Sequence, residues 1–488
     1  MSSAIRFSEP DGLDKFIAVI IAFRYLSFSQ NGILDALVSQ NTELLNNPDI
    51  TKDDKLVRQG HQLELTEGES QKKFKVILGD VISRDPAAVG RSTVVLKATS
   101  DKWPGKNLVV KISWPGHGRV PEDEFLKKAI SEAERTDGKW AINHLPRVYF
   151  SKDVVFSDDS TFMSVAGLFK NAKFSGGGYV YEQRALRIII QEELYPLKSL
   201  TNVRDVSQVF VDIACSMYLF RLLLVFTHPT LVHRWLHDHP GILHRDLSLN
   251  NIMWRLIEQM DANKKSEQKV YGVLTDYDLS SWTEDLKNGY KNTSLQRTGT
   301  PPYMALELLD ETSSVHLYRH DVESLFYVML LTCGRHVFGP EKAEGKEEGT
   351  RRMIRRGGVL PYQKWFGQPD HETLGDKKTV FFTKMQSIDL SPHFEDFQPW
   401  LEDLQLRFSE GFSAKSASLV KQKKRQRLGT SSAEVDQFDD ETLGGHIQYS
   451  SFIEPVRHLT GELKKLAIRY DPSQIPLPAS ADVTEVNS

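Results

Sequence analysis

The stretch Ile242–Trp254 contains two side chains whose types and spacing suit the transfer of a phosphoryl group. Its His-Arg-Asp triplet places Asp246 five residues ahead of Asn251, and apolar residues that would form short buried strands lie on both sides. Phosphoryl transfer requires a carboxylate that orients or accepts the proton of the attacking hydroxyl, and an amide oxygen that holds magnesium beside the phosphates. Asp246 suits the first role and Asn251 the second. The alternative is an exposed turn rich in Asp, Asn and Ser, which is what most such clusters are.

The triplet Asp276-Tyr277-Asp278 supplies a second candidate ligand for magnesium. Protein kinases carry Asp-Phe-Gly at the corresponding place, with the aspartate on the metal and the aromatic ring packed inside. Asp276 and Tyr277 match that pattern, whereas Asp278 replaces the glycine. Because glycine provides backbone freedom at a switch point, we expect on/off behaviour here to differ from that of ordinary kinases. We therefore predict Asn251 and Asp276 as the metal ligands.

Lys111 is the candidate for binding the phosphates of ATP. It follows Leu108-Val109-Val110 in the third of three predicted strands, after a turn that contains Gly90 and whose backbone amides would cover the phosphates. A lysine inside an apolar strand is costly to turn inward. Two alternatives stay open: Lys111 faces solvent on an edge strand, or Gly90 is only a turn residue.

A helix predicted from Pro121 to Arg135 would supply the glutamate that clamps this lysine. Glu122 and Glu124 both precede the apolar pair Phe125-Leu126. We favour Glu122, because it lies three residues before the apolar pair that would face the interior. Either residue could instead be a first-turn acid that the helix dipole favours.

A hinge that offers backbone groups to an adenine ring is predicted at Gln191-Glu192-Glu193-Leu194, directly after the strand Leu186–Ile190. The prediction rests on order along the chain alone. It makes Glu192 and Leu194 candidate nucleotide-binding residues.

The stretch Arg297–Glu307 resembles the end of a kinase activation segment, with Ala-Leu-Glu in the place of Ala-Pro-Glu. Asp321, which opens the next predicted helix, stands where kinases bury an aspartate that braces the catalytic loop. Arg245 would pair with a phosphate on the activation segment. The candidate phosphate acceptors are Ser294, Thr298 and Thr300.

The surrounding elements predict an α+β protein with two lobes, a small β-rich N-lobe and a larger helical C-lobe. The predicted strands of the N-lobe are 74–82, 92–98, 108–112, 147–150 and 186–190. A first helical stretch is predicted over 13–39 and a C-terminal helix over 452–470, while residues 40–73 are expected to be loosely structured. The predicted divisions are a helical extension and loosely structured loop (1–73), the N-lobe (74–195), the C-lobe (196–408), a flexible basic and polar linker (409–440), a C-terminal motif with a helix (441–470) and a disordered tail (471–488). The central C-lobe element is an apolar helix predicted over 203–227.

Composition is that of an ordinary soluble globular protein, with 40% hydrophobic and 26% charged residues and a net charge of −4. The charge does not suggest a nucleic-acid-binding protein.

Two apolar runs, 16–23 and 217–226, are too short to span a bilayer, and the first fifteen residues do not read as a secretory signal. The two cysteines, Cys215 and Cys333, predict buried thiols in a reducing compartment. We expect a cytoplasmic or nuclear protein. The basic run Lys421–Arg427 is either a nuclear import signal or a solvated charge run.

Four stretches together resemble the fungal-type protein kinase family: Val110–Trp114, Gly241–Ser248, Arg297–Glu307 and Glu441–His446. The resemblance implies a bilobal protein-kinase-like fold, ATP and Mg²⁺ as cofactors, and phosphorylation of serine or threonine in a protein substrate. It also implies that Asp246 is the catalytic base, Asn251 and Asp276 are magnesium ligands, Lys111 binds phosphate and Glu122 is its partner.

Three functions follow from this sequence. The first is a protein kinase, and the second is a weak pseudokinase that acts as a nucleotide-binding or scaffold protein. The second gains support because Ser248 stands where many kinases carry a lysine that neutralises the transferring phosphate. The third, a small-molecule phosphotransferase, would lack a peptide-docking activation segment, and Arg297–Glu307 argues against it.

Overall fold

A computed structural model of the protein describes residues 37–38, 62–68, 72–84, 91–116, 118–154, 184–214, 232–260, 266–287, 299–310, 315–340, 351–366, 370–428 and 438–448. The predicted helices within 13–36 and over 452–470, the turn with Gly90, and the acceptors Ser294 and Thr298 lie outside these residues. The chain divides into two compact units. One comprises the described residues up to Arg119 together with Arg147–Glu193, and the other comprises Val120–Pro146 with the described residues from Leu194 onward.

The first unit is built on one antiparallel sheet of seven strands in the order β1-β2-β3-β4-β5-β7-β6. The strands are β1 (Leu37–Val38), β2 (Gln62–Glu67), β3 (Lys72–Arg84), β4 (Val94–Thr99), β5 (Leu108–Ser113), β6 (Val148–Val154) and β7 (Leu186–Glu192). In β4, Leu96 and Ala98 are buried while Lys97 between them is exposed, as the two-residue period of a half-buried strand requires. One face of the sheet therefore forms the core of this unit.

Two sequence predictions fail at the edge of this sheet. Residues 40–73 were expected to be loosely structured, yet β2 lies within them and pairs with β3. Its polar residues alternate with Leu63 and Leu65, which are both buried, so only two apolar side chains reveal this strand. Leu37–Val38, at the end of the predicted first helix, is a strand that pairs with β2. The five other strands agree with those expected.

Among the described residues, the second unit contains seven α-helices and three small sheets. Its helices are α1 (Glu122–Arg135), α2 (Val203–Ala214), α3 (Val232–Asp238), α4 (Thr283–Lys287), α5 (Tyr318–Arg335), α6 (His371–Thr383) and α7 (Gln398–Leu428). Its strands are β8 (Tyr195–Pro196), β9 (Ile242–Leu243), β10 (Ile252–Met260), β11 (Ser266–Leu274), β12 (Ser281–Trp282), β13 (His336–Pro340) and β14 (Arg351–Arg355).

Helix α5 lies at the centre of this unit, because all 18 of its residues are buried. The ring of Phe326 contacts Phe381 and Phe382 of α6 at centroid distances of 6.3 and 6.1 Å, and Phe408 of α7 at 5.7 Å. No helix in the described part of the chain is long and apolar enough to cross a membrane.

Helix α7 corrects the predicted flexible linker, because 409–428 continues a helix of 31 residues. Its first turns are anchored by buried Trp400, Leu404 and Phe408. From residue 412 to residue 428 the sequence has neither glycine nor proline and is rich in Lys, Gln, Arg, Ser and Ala. Nothing in it stops a helix that packing has already nucleated. The predicted C-lobe boundary at 408 therefore falls inside a helix.

Helix α1 was assigned to the N-lobe, but its contacts assign it to the second unit. Its Phe125 ring lies 4.5 Å from the ring of Trp282 in β12, and the helix also packs on the 3₁₀ helix Asp137–His144. These contacts bring Glu122 into the same unit as the candidate catalytic loop.

Candidate active site

The candidate catalytic loop joins the short strand β9 to the long strand β10. Strand β9 pairs with β12, and β10 begins at Ile252 directly after Asn251. Between them Asp246 and Asn251 are both 7% exposed, and His244 is fully buried. The two predicted chemical groups thus lie in a buried loop, which excludes the alternative of a solvent-exposed turn.

Asp321 holds the backbone of this loop from the first turn of α5. Its carboxylate accepts hydrogen bonds from the backbone N–H groups of His244 (3.0 Å) and Arg245 (3.1 Å), and His316 Nε2 lies 2.7 Å from Oδ1. Arg245 has φ +68°, a left-handed conformation that costs a non-glycine residue ~1–3 kcal/mol. The predicted bracing of the catalytic loop by Asp321 is confirmed, and the bonds to the carboxylate offset the strain.

His244 joins this loop to the strand that leads to Asp276. Its Nε2 lies 2.9 Å from the carbonyl of Thr275, and its Nδ1 lies 3.4 Å from the backbone nitrogen of Asp246. Because that nitrogen can only donate, Nδ1 accepts and the ring proton resides on Nε2, which donates to Thr275. The ring also packs edge-on against Tyr277 at 5.0 Å. His244 therefore serves as a neutral structural bridge.

Asp246 has a polar partner on each carboxylate oxygen. Asn251 Nδ2 donates to Oδ2 at 3.3 Å and to the backbone carbonyl of Asp246 at 2.8 Å. Thr300 Oγ1 donates to Oδ1 at 3.2 Å. Because its amide nitrogen is engaged, Asn251 offers its amide oxygen as the atom for a cation. The backbone N–H of Thr275 donates to the backbone carbonyl of Asn251. Because Asp276 is the next residue, this bond connects the two predicted magnesium ligands through the backbone.

Asp276 belongs to a group of three carboxylates. Candidate ligand oxygens of Glu122, Asp276 and Asp278 lie within 4.8 Å of one another, with Glu122 and Asp278 buried. Several carboxylate oxygens so close together form the ligand chemistry that Mg²⁺ prefers. Asp276 itself has φ +66°, while Tyr277 is fully buried and its pKa is well above its usual value because of that burial. These three carboxylates fit a magnesium ion. Asp278, which replaces the usual glycine, adds to the negative charge of the group.

Lys111 lies in the interior of the first unit. It is on β5, between β4 and β7, with Val95 and Ile189 as its register partners, and it is 5% exposed. The alternative of a solvent-facing lysine on an edge strand is therefore wrong. Lys111 and Glu122 belong to different units, and their pairing stays a prediction.

The predicted hinge coincides with a division of the chain, since the first unit ends at Glu193 and the second resumes at Leu194. Glu192 Oε1 accepts a hydrogen bond from the backbone N–H of Arg147 at 3.0 Å, so this side chain closes the β6–β7 end of the sheet. Leu194 is buried. The predicted contact with adenine involves backbone groups of this stretch, and it stays a prediction.

Two predictions concern the activation segment. Arg245 NH1 donates to Ser281 Oγ at 2.7 Å, so in this structure the guanidinium contacts β12. Thr300 was a candidate phosphate acceptor, but its hydroxyl bonds to Asp246. A phosphate there would put about two negative charges beside the candidate base. The structure therefore favours Thr300 as a residue that positions Asp246.

The end of this segment is held by charged groups that sequence reasoning missed. Lys378 Nζ of α6 donates to the carbonyl of Met304, and Glu323 Oε1 of α5 accepts from the N–H of Leu306 at 2.7 Å. Both side chains are fully buried. Neither stands in a recognisable motif, and Lys378 lies in a mixed polar stretch that gives no signal for burial.

Glu307 also anchors the end of this segment, through partners that the sequence did not reveal. Its carboxylate lies 2.5 Å from Arg319 NH2 and 2.9 Å from Lys415 Nζ, and both cations also contact Asp440. Burial alone would raise the pKa of Glu307, but His320, Arg319 and Lys415 hold it well below its usual value. The segment 438–448 is thereby joined to the end of the activation segment. The Ala-Leu-Glu motif identified Glu307, but only tertiary structure reveals its partners.

A model of the fungal protein kinase family matches residues 2–175 and 197–333, which is more than half of the chain. The matched stretches include Lys111, Asp246, Asn251 and Asp276. No curated protein matches the sequence. The sheet of the first unit and the helices of the second fit the α+β fold of a kinase. The resemblance is confirmed for Val110–Trp114, Gly241–Ser248 and Arg297–Glu307, whereas Glu441–His446 lies outside the matched residues. The chain belongs to the fungal protein kinase family.

Proposed function

We propose that the protein is an ATP- and Mg²⁺-dependent protein kinase that phosphorylates serine or threonine side chains. The observation that carries the proposal is the environment of Asp246. Its carboxylate is buried, bonded by Asn251 on one oxygen and by Thr300 on the other, in a loop whose backbone Asp321 holds. A carboxylate fixed in this way suits a general base, because its orientation is set before the substrate arrives.

Asn251 and Asp276 would hold magnesium, with Asp278 and Glu122 adding negative charge nearby. When bound, the ion would neutralise charge on the phosphates and orient them. The engaged amide nitrogen of Asn251 keeps the amide oxygen available for that ion. Asp276 has a left-handed backbone conformation at this proposed magnesium site.

Lys111 would bind the phosphates of ATP, the turn with Gly90 would cover them, and backbone groups from Glu192 to Leu194 would contact the adenine. These roles follow from the family, and the burial of Lys111 within β5 supports the first of them. We propose that the two units correspond to the small and large lobes of the kinase fold.

A polypeptide is the proposed substrate, with a short hydroxyl side chain as the acceptor. The segment that follows Thr300 is built as two 3₁₀ turns, Pro301–Tyr303 and Leu306–Leu309, with buried Met304 and Ala305 between them. A small-molecule phosphotransferase would not need such an ordered segment beside its base. This observation favours a protein substrate.

The alternative is a catalytically weak pseudokinase that binds nucleotide or partners. It rests on Asp278, which is buried where ordinary kinases carry glycine, and on Ser248 in the usual place of a lysine. Losing that cation would remove charge stabilisation from the transition state and would slow transfer.

The test is transfer of ³²P from Mg·ATP to a generic basic protein and to the protein itself, for wild type, Asp246→Asn and Lys111→Met. Lys97→Met is the matched control for Lys111, because Lys97 is exposed on the neighbouring strand β4 and pairs with Glu193. Asp389→Asn is the control for Asp246, since Asp389 pairs with Arg356 at the surface. We expect both site variants to abolish transfer and both controls to retain it.

Transfer that survives in Asp246→Asn would contradict the proposed site. If wild type binds Mg·ATP but transfers no phosphate, the pseudokinase alternative gains support. Nucleotide binding is therefore measured in parallel, by fluorescence of a labelled ATP analogue with and without Mg²⁺.

We propose that this kinase acts in the cytoplasm, the nucleus or both. The basic run Lys421–Arg427 is exposed at the end of α7, where an import receptor has access to it. A fluorescent fusion in which Lys423 and Lys424 are changed to Ala tests its role. An unchanged nuclear fraction would identify the run as a solvated charge run.

A further inference from the structure

A group of cations gathers where α5 ends and the hairpin of β13 and β14 begins. Arg335 is the last residue of α5, and Arg355 is the last residue of β14. The NH2 nitrogen of each donates to Gln363 Oε1, at 3.2 and 3.3 Å. Lys198 lies in the 3₁₀ helix Leu197–Ser199, which packs on β14. Two guanidinium groups therefore converge on one neutral amide oxygen, with a lysine on the neighbouring element.

No carboxylate in the described part of the chain bonds to Arg335 or to Arg355. The other partners of Arg335 are neutral. Its NH1 donates to the carbonyl of Pro361 at 2.9 Å, and the guanidinium carbon lies 3.9 Å from the centre of the Phe366 ring. Arg335 is buried, and this burial together with the charge of Arg355 lowers its pKa. The positive charge of the group is thus uncompensated.

The same charges act on His336, which follows Arg335 and is the register partner of Arg355. Burial and the charges of Lys198, Arg335 and Arg355 lower the pKa of His336 to about 4. The imidazole is therefore neutral near pH 7 and adds no further charge. Its pKa reflects all three cations, which agrees with the packing of the 3₁₀ helix on β14.

A structural role explains only Arg335. A cation at the C-terminal end of a helix interacts favourably with the helix dipole, and stacking on an aromatic ring stabilises it further. Neither effect explains why Arg355 and Lys198 lie beside it, because like charges repel one another at short distance. An arrangement that places them together without an acid suits an anionic ligand.

The hydrogen-bonding groups of this cluster define the ligand more closely. Guanidinium and ammonium groups only donate, and Gln363 Oε1 already accepts two bonds, which leaves its amide nitrogen as a further donor. The complementary ligand has several acceptor oxygens and more than one negative charge. A phosphorylated side chain has three acceptor oxygens and about two negative charges, whereas a carboxylate has two oxygens and one charge.

Tyr303 relates this cluster to the candidate base. The hydroxyl of Thr300 donates to Asp246, and Tyr303 follows three residues later, at ~2 Å per residue of 3₁₀ helix. The 3₁₀ helix that ends at Tyr303 packs on α5. Burial raises the pKa of Tyr303 to about 12, and the charge of Arg335 opposes that rise. A few residues of extended polypeptide, at ~3.3–3.6 Å each, therefore separate the cations from an acceptor hydroxyl at Asp246.

We propose that Arg335, Arg355 and Lys198 form a binding site for a phosphorylated side chain of the polypeptide substrate, which lies a few residues from the acceptor hydroxyl. The inference rests on the proposed kinase function and deepens it by naming the substrate class. Arginine binds phosphoryl oxygens through paired N–H donors, which suits the two guanidinium groups. An earlier phosphorylation reaction must supply such a substrate.

The first experiment measures binding without ATP, so that it does not depend on catalysis. The probes are fluorescein-labelled peptides of alanine and glycine with one central serine. A phosphoserine, an aspartate or an alanine stands two to six positions from that serine, on either side. Fluorescence anisotropy with the full-length protein gives Kd.

At the best spacing, we expect the phosphoserine peptide to bind at least ten-fold more tightly than the alanine peptide, as hydrogen bonds between charged groups allow. It should also bind more tightly than the aspartate peptide. Equal Kd values for phosphoserine and aspartate would overturn the assignment of a phosphoryl group. Equal Kd values for phosphoserine and alanine would identify the cluster as a solvated basic face.

Two exposed positions test the site itself. Arg355→Gln removes one charged donor. Gln363→Glu places a carboxylate against both guanidinium groups, where it competes with the phosphoryl group. Either substitution should reduce the preference for the phosphoserine peptide over the alanine peptide to two-fold or less. A preference that survives in both variants would overturn the proposal.

Arg351→Gln is the matched control for Arg355→Gln. It removes the same charge from the other end of β14, four residues or ~13 Å along the strand, and Arg351 is exposed. This variant should keep the preference of wild type. A loss equal to that in Arg355→Gln would show a general effect of surface charge and would contradict the proposed site.

Stability separates recognition from a purely structural role of the cluster. Because Gln363→Glu relieves the repulsion between Arg335 and Arg355, its midpoint of urea denaturation should be no lower than that of wild type. It should nevertheless lose the preference for the phosphoserine peptide. A lower midpoint would contradict the uncompensated charge on which the site depends.

Phosphate transfer to the same peptides distinguishes failure of this inference from failure of the proposed function. The ratio of kcat/KM for the phosphoserine peptide to that for the alanine peptide should be at least ten in wild type and two or less in Arg355→Gln. Preferential binding of the phosphoserine peptide without any transfer in wild type would contradict only the proposed kinase activity. Transfer to both peptides with equal kcat/KM would contradict only this inference.

Discussion

Glu441 Oε1 accepts a hydrogen bond of 3.1 Å from the backbone N–H of Tyr318, although the two residues are 123 positions apart. Tyr318 is the first residue of α5, and its N–H has no partner within the helix. The C-terminal segment 438–448 therefore supplies the acceptor at the start of the helix that carries Asp321. A carboxylate at this end also interacts favourably with the helix dipole.

Removing that acceptor should destabilise the second unit. We expect Glu441→Ala to lower the free energy of unfolding by ~1 kcal/mol, the usual effect of losing a helix N-terminal acceptor. Urea denaturation followed by circular dichroism measures it. Glu395→Ala, at an exposed position in a surface turn, should change the free energy by less than ~0.5 kcal/mol. An equal effect of both substitutions would contradict the role of Glu441.

The bond between Thr300 and Asp246 predicts a kinetic effect. Thr300→Val removes a hydroxyl that donates to a carboxylate, which is worth ~1.5–3 kcal/mol, so kcat should fall by about ten- to a hundred-fold. Thr300→Ser keeps the hydroxyl and should retain most of the activity. Steady-state kinetics with ATP saturating gives the comparison. A Thr300→Asp variant with full activity would show that negative charge beside Asp246 is tolerated, contrary to the expectation from this geometry.

Lys378 predicts a dependence of stability on pH. Its folded pKa of about 7 is below the usual 10.5, so between these values the unfolded chain binds more protons and stability rises with pH. Lys378→Met lacks this contribution. The free energy of unfolding of wild type minus that of Lys378→Met should therefore increase by about 1.4 kcal/mol per pH unit between pH 7.5 and 9. Denaturation of both proteins at several pH values measures it, and a constant difference would contradict the burial of a titrating lysine.

Two helical glycines predict opposite responses to the same substitution. A Cβ on Gly411 of α7 would lie 2.8 Å from Cβ of Leu443, so Gly411→Ala should displace the segment 438–448 and destabilise the protein. A Cβ on Gly375 of α6 would meet Leu309 at an ordinary 3.8 Å. There alanine should stabilise the helix by ~0.5–1 kcal/mol. Thermal denaturation of both variants measures the two effects. A change in stability of the same sign in both variants would contradict the close contact at Gly411.

The sequence was sufficient where chemistry or periodicity is local. The spacing of Asp246 and Asn251 predicted a loop that the structure places in one buried turn, and apolar strand segments predicted β3 to β7. Asp321 was predicted from its position at the start of a helix. These features depend on neighbours a few residues away, which a single sequence displays.

Other features depend on residues that meet only in the folded chain. Lys378, Asp440 and Glu441 stand in polar stretches, and nothing nearby distinguishes a lysine that will be buried from one that will be solvated. The helical continuation of α7 beyond Ser409 was missed because its charged, serine-rich composition is typical of linkers. Packing at Trp400 and Phe408 starts that helix, and composition alone does not report packing.

The complete burial of α5 has a consequence for how the second unit unfolds. A helix with no exposed residue has no surface that it can present to water on its own, and the loop with Asp246, the helices α6 and α7, and the segment 438–448 all depend on it. None of these elements can separate from the unit without exposing α5. We therefore expect a single cooperative transition for this unit, in which the catalytic loop is lost together with the interior and does not melt ahead of it.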